Sequence, residues 1–198
     1  MNSGLTYTGV NELTNTGDPT GSGVIEGYFR MNLWDKESTK LPYAVGSYLG
    51  NKKVLGIGAG FFSHMDGMYN TNTEDHESVF HFAFDAFMDL PTNGGGLTAY
   101  VSYMNFNYGN NYVARWAGTG SVIYGHAGYF IKSAKIMPYV AFQRANYEGF
   151  SQNPSAFDVG INYHILGHNA KITLEYHTIS NDPRESTRQI RLQGHIFL

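Results

Sequence analysis

The sequence contains no cysteine, which excludes a disulfide framework, thiolate metal ligands and thiol nucleophiles. Charge is scarce: Asp, Glu, Lys and Arg make up 15% of the chain, against ~25% in a typical soluble domain. The formal net charge of -3 gives no support to nucleic-acid binding, and no nucleic-acid partner is expected. No window reaches the ~18 consecutive apolar residues of a membrane-crossing helix. No stretch repeats at the helical period of ~3.6 residues. The opening segment, MNSGLTYTGVNELTNTG, lacks the basic and apolar regions of a secretory signal. For an exported protein, the expectation is that the signal has been removed or that the sequence belongs to a longer chain. No G-x-S-x-G nucleophile motif occurs. The run Gly56-Ile57-Gly58-Ala59-Gly60 sits inside a strand pattern with no helix behind it, so it is not a phosphate loop. Those glycines are expected to allow bending or close packing.

What the chain does have is aromatic residues (15%, with 15 Tyr and 13 Phe), 24 glycines and a mean hydropathy of -0.30. Few charges, many aromatics and no excess of aliphatics suit a protein with an apolar outside and a polar inside, the arrangement of a transmembrane β-barrel. The C-terminal stretch 160–198 carries the pattern most plainly. On its last strand Ile190, Leu192, Ile196 and Leu198 share one face with Gly194, while Arg191, Gln193, His195 and Phe197 share the other. Period-two alternation of this kind predicts a strand with one apolar and one polar face. A strand running to the final residue is what closure of a barrel requires.

The same reading extends over the chain. Residues 1–21 are polar and read as a loop, with a short strand at Leu5–Thr8. Strands are predicted at Val24–Trp34, Tyr43–Gly50, Val54–Ser63, Val79–Asp89, Leu97–Tyr108, Val122–Ile131, Ile136–Tyr147 and Phe157–Ile165, followed by two more in the C-terminal stretch. Phe80, Phe82, Phe84, Ala86 and Met88 face one way, and His81, Asp85 and Asp89 the other. Pro138 cannot donate to a ladder, so it is expected near a rim or a bulge. The expectation is about ten antiparallel up-and-down strands of lengths that suit membrane spans tilted by ~45°. Short connections at 51–52, 91–95, 132–134 and 167–168 alternate with longer ones at 35–40, 64–77, 109–118, 148–154 and 179–187. That is the outer-membrane pattern, with both chain ends on the short-turn, periplasmic side. Trp34, Tyr43, Tyr108, Trp116 and Tyr147 at strand ends suit interface girdles. A soluble β-sandwich or barrel is the alternative, since it too has alternating strands and glycine-rich turns.

The segments SYLGNKKVLGIGAGF (47–61), DAFMDLP (85–91), HAGYF with MPYVAFQ (126–143), VGINYHILGHNAKITLEY (159–176) and the closing RQIRLQGHIFL resemble the C-terminal part of phosphate-selective porins of the O/P type, in the version found in Bacteroidetes. The resemblance covers roughly residues 24–198. It implies an outer-membrane barrel of about sixteen antiparallel strands, roughly twice this length. It also implies a homotrimer with a water-filled pore, for which this chain would be the C-terminal portion. The function implied is passive diffusion of small polar or anionic solutes, with lipid and lipopolysaccharide as surroundings and no cofactor.

The polar phase supplies the lumen-lining candidates: Glu26, Arg30, His81, Asp85, Lys171, Glu175, His177, Arg191, Gln193 and His195. Cationic side chains there raise local anion concentration, while carboxylates oppose it and set a transverse field. The set is of mixed sign rather than a basic ladder. Arg144 falls on the apolar phase near a strand end, where snorkelling to headgroups suits it. The stretch from His64 to Glu77 holds His64, Asp66, Glu74, Asp75, His76 and Glu77. It matches no dedicated calcium loop and reads as an acidic extracellular loop; no metal is expected. Two other functions stay open: a saccharide-binding or adhesion barrel, and a ten-stranded outer-membrane hydrolase using His64, Asp66 and Asp75. No catalytic residues are assigned, and an enzyme is not expected.

Overall fold

Side chains of alternating polarity, rich in Phe, Tyr, Val and Ile, favour a pleated backbone over a helix, and the described residues contain strands, turns and bends but no helix. The structure is a computed structural model that describes all residues except 1–14, 18–22, 39–45, 71–72, 111, 113–117, 151–152, 181–185 and 198. Ten strand segments follow in order: β1 (Asn15–Gly17), β2 (Val24–Asn32), β3 (Val54–Asn70), β4 (Asp75–Thr92), β5 (Gly95–Asn107), β6 (Gly120–Ile131), β7 (Ile136–Tyr147), β8 (Ser155–Leu166), β9 (Ala170–Ser180) and β10 (Thr187–Ile196). All lie in one antiparallel sheet in which each strand from β3 to β10 pairs with the next in sequence. β1 and β2 share the free edge of β3, pairing with residues 68–70 and 56–64 respectively. The segments therefore fill nine positions of an up-and-down meander.

Exposure identifies the two faces. Phe84, Ile161, Leu174 and Leu192 are 56%, 47%, 52% and 76% exposed, whereas Asp89, Thr98, His164 and His177 are buried at 0%, 1%, 4% and 8%. The apolar phase thus points outward and the polar phase inward, the reverse of a water-soluble core. The outward face is continuous. In register across the strands it runs Ala59, Phe84, Tyr103, Ile123 and, farther on, Phe142, Phe157. Arg144 joins it opposite Ile123, as its phase predicts.

Several expectations are corrected. Residues 46–50 are not a strand; they form a bend and turn on the inner face, and the rest of the expected Tyr43–Gly50 strand lies outside the described residues. The reason is side-chain capture. Asp89 Oδ2 accepts from the Tyr48 backbone N–H (2.8 Å), Ser47 Oγ (3.1 Å) and Thr98 Oγ1 (2.8 Å). Leu49 at φ 53° and Gly50 at φ 71° then turn the chain beneath the β4–β5 hairpin. A Cβ on Gly50 would lie 2.2 Å from the Gly95 carbonyl oxygen, so only glycine fits that approach. No strand is present among the described residues between β2 and β3, so β2 pairs directly with β3, in place of a loop at 35–40 and a turn at 51–52 around an intervening strand.

The predicted loop 64–77 is mostly strand. β3 and β4 continue past a bulge between His64 and Met68, with Asp66 at φ 53°, and stay paired as far as Asn70 and Asp75. The N-terminal segment contains β1, while the expected Leu5–Thr8 strand lies outside the described residues. The two edges also differ from expectation. β2 enters from the long-loop end, and β10 finishes at the short-turn end beside Ala170. β2 and β10 therefore run the same way, and they are not paired with each other among the described residues. Pro138 lies two residues into β7 with its ring on the exposed face, close to the 132–135 turn, as expected.

Candidate functional site on the polar face

The sheet curls about its polar side. His168, in the β8–β9 turn, shares a 2.8 Å hydrogen bond between Nε2 and the Ser47 carbonyl. Ser47 is in turn held to Asp89 and Thr98 on β4 and β5. The 46–50 segment thus ties together turns separated by several strands and floors the short-turn end. Above it lies an open cavity of about 740 Å³ bordered by inner-face residues from β5 to β10.

The inner face carries its charges in two groups. On β2–β4, Tyr28 Oη donates to Asp85 Oδ2 (2.8 Å), and Arg30 pairs with Glu37 (2.5 Å) while lying 5.8 Å from the Phe87 ring centre. Glu37 also accepts from Tyr48 Oη at 2.9 Å. Partial burial and this bond to a carboxylate push the Tyr48 hydroxyl up to about 12, because both oppose a phenolate. On β7–β10, Tyr139 Oη donates to Glu175 Oε2 (2.6 Å), Arg191 Nη1 donates to Glu175 Oε1 (3.2 Å), and His177 Nδ1 meets Asp158 Oδ1.

Both groups use the same device. The Tyr28 hydroxyl lies where a Cβ on Gly58 would be, 2.1 Å away, and the Tyr139 ring lies 2.5 Å from a Cβ position on Gly160. Each glycine sits on the strand between the tyrosine and its carboxylate: β3 between β2 and β4, and β8 between β7 and β9. A tyrosine reaches a carboxylate two strands away because the intervening residue has no side chain.

The sequence candidates divide accordingly. Arg30 and Asp85 belong to the first group. Lys171, Glu175, Arg191 and Gln193 border the cavity, and His177 backs it through Asp158. His195 is directly across from Lys171 on the exposed β10 edge and does not border the cavity. Two candidates lie apart from both groups. His81 stacks on Phe62 at 5.4 Å and packs against Phe106 and Tyr108 at the long-loop end. Glu26 is in the same row, opposite Phe62 on the exposed edge strand, away from the cavity. Sequence reasoning missed Tyr28, Asp158, Tyr139, Tyr124 and His126 as polar-face groups, and Asp89 as an anchor. Strand phase placed Asp89 on the polar face; what it lacked was the register that sets one residue beside another.

Among the described residues, Asp158, Glu175 and His177 have ligand atoms within 4.8 Å of one another and could hold a metal ion. Each is already engaged by a neighbouring side chain, and Arg191 sits on Glu175, so the arrangement is an ion-pair network as it stands. The chain matches no protein-family model, no curated protein and no solved structure.

Proposed function

We propose that this chain forms the wall of an outer-membrane β-barrel porin, with small polar solutes diffusing passively along its concave face. The observation that supports it is the inverted polarity: a continuous exposed sheet of Phe, Tyr, Val, Ile and Leu outside, and paired charges and hydroxyls inside. In water, so large an apolar surface drives aggregation; against lipid it is the stable arrangement. The β3–β9 strands satisfy their backbone groups on both sides, as hydrocarbon demands. Because the β2 and β10 edges run the same way, an antiparallel ring closes with an odd number of further strands between them. Lipid and lipopolysaccharide would contact the outer face, and assembly as a homotrimer follows from the porin resemblance.

The cavity borders carry Asp158 and Glu175 against Lys171 and Arg191. That balance favours polar solutes in general over anions, in contrast to a basic ladder. The inward 46–50 segment narrows the short-turn end of the passage. The test is reconstitution into planar bilayers and liposomes. Stepwise conductance together with swelling in small polar solutes is the expected result. Inserted, folded protein that conducts nothing would overturn the porin reading in favour of a binding or adhesion barrel.

A further inference from the structure

Toward the long-loop end, beyond the charged rows, the concave face turns apolar. Two adjacent rows cross β2 to β5 there: Glu26, Phe62, His81 and Phe106 in one, and Tyr28, Gly60, Ala83 and Met104 in the next. Gly60 and Ala83 project only a hydrogen and a methyl group, so the sheet is hollowed between the aromatic row and Met104. Tyr28 edges the hollow, with Cδ2 3.1 Å from a Cβ position on Gly60. The pocket so formed has a volume of about 540 Å³, within the ~300–1,000 Å³ range of small-molecule sites.

Among the described residues the charged side chain bordering this pocket is Glu26, which makes no hydrogen bond or ion pair with them. His81 adds no charge: its Nδ1 accepts the Asn107 backbone N–H at 3.2 Å, so that nitrogen carries no proton and the ring is neutral. In the row below, Arg30 is paired with Glu37 and Asp85 accepts from Tyr28. His81 stacks on one face of Phe62, with ring centres 5.4 Å and planes 15° apart. The other face of Phe62 turns toward Glu26, directly across the β2–β3 pair, and partners of this kind stand ~5 Å apart. An ammonium group between them meets a carboxylate on one side and an aromatic face on the other. Ala83 is one strand and one row from Phe62, roughly 8 Å by strand and residue spacing, so the apolar body of the same molecule reaches the hollow. An anionic solute meets Glu26 with like charge, and a neutral one leaves the carboxylate unused.

We propose that the long-loop end of the concave face binds small aromatic amines, with the ammonium group between Glu26 and Phe62 and the apolar body over Gly60 and Ala83 toward Met104. The site goes beyond the passage reading and does not depend on it, because the pocket lies on the concave face whether or not solute crosses the membrane.

The test is ligand-observed NMR at pH 7 on the folded protein in a zwitterionic detergent. The probes are tryptamine, its neutral counterpart tryptophol and the anion indole-3-acetate. Ala83→Leu fills the hollow and supplies the micelle background, with Ala83→Val in its place if that variant fails to fold. Tryptamine is expected to bind above this background, about fivefold more tightly than tryptophol, and indole-3-acetate is expected to stay at background. Glu26→Gln, a near-isosteric change on the exposed edge strand, should weaken tryptamine about fivefold and leave tryptophol unchanged. The proposal is overturned by folded protein that holds tryptamine no better than Ala83→Leu does, by equal affinity for tryptamine and tryptophol, or by tryptamine binding indifferent to Glu26→Gln. Conductance without tryptamine binding overturns this proposal alone. Tryptamine binding by inserted protein that carries no current overturns the passage reading alone.

Discussion

The Tyr139 hydroxyl donates to Glu175 Oε2 at 2.6 Å across the full width of β8, and it does so by lying over Gly160. The Tyr28–Asp85 bond over Gly58 repeats the arrangement at the other side of the sheet. Each is a clamp across three strands, and each requires glycine in the middle.

Gly160→Ala should destabilise the fold by more than Tyr139→Phe. The alanine methyl displaces the whole ring, whereas Tyr139→Phe removes one hydrogen bond to a charged group, about 1.5–3 kcal/mol where it is shielded from water. In the Tyr139→Ala background, Gly160→Ala should become nearly neutral. Urea unfolding of the four proteins in detergent supplies the cycle. Additive single effects would mean that ring and glycine do not interact.

Asp89→Ala should release the 46–50 segment. Ser47 Oγ, Thr98 Oγ1 and the Tyr48 N–H all lose the same acceptor in a fully buried position. Ser47 Oγ and Thr98 Oγ1 keep their 3.1 Å contact with each other, so the Tyr48 N–H is the group left orphaned, at about 1–3 kcal/mol unless water replaces the carboxylate. Limited proteolysis should then cut at 46–53 well before the strands, and single-channel conductance should rise. Unchanged proteolysis would show that other contacts hold the segment.

The Tyr48 hydroxyl gives a pH dependence of definite sign. Burial and its bond to Glu37 raise it from 10.0 to about 12 in the folded protein. A raised folded-state value means that the folded form holds the proton more tightly. Its contribution to stability is complete below pH 10 and is lost as pH rises through 12. Unfolding midpoints measured from pH 9 to 12 should fall more steeply for the native protein than for Tyr48→Phe. Parallel curves would refute the assignment.

The two faces should differ in their tolerance of charge. Leu174→Arg puts a cation on the exposed apolar face, and should lower folding into lipid vesicles by about 2–4 kcal/mol if the site lies near the bilayer midplane. Thr173→Arg, one residue away on the cavity side, should fold nearly as well as the native protein. Equal tolerance at both sites would argue against lipid contact.

Strand existence and strand phase were legible in the sequence because both depend on a period of two. The alternation in 170–178 and 188–196 placed β9 and β10 closely, and the phase of Arg144 was read correctly. The 43–50 segment was not legible. Eight residues with a few apolar ones suit a strand, and only the Asp89 carboxylate, far away in sequence, draws Ser47 and Tyr48 inward instead. The continuation of β3 and β4 beyond His64 was hidden because a bulge at 64–68 breaks the alternation. His81 has the phase of a lumen residue, and only the register shows that Phe62 and Phe106 flank it in the same row.

By itself the sequence determined that the chain forms antiparallel strands with an apolar face and a polar face, and which residues belong to each. Local sterics and side-chain polarity suffice for that, since a one-residue slip would reverse every side chain. The tertiary structure decided which polar residues meet. Tyr139 finds Glu175, Lys171 stands beside His164, and Asp89 captures the 46–50 segment. Those meetings depend on the register between strands and on the curl of the sheet, which bring together groups that no local spacing relates.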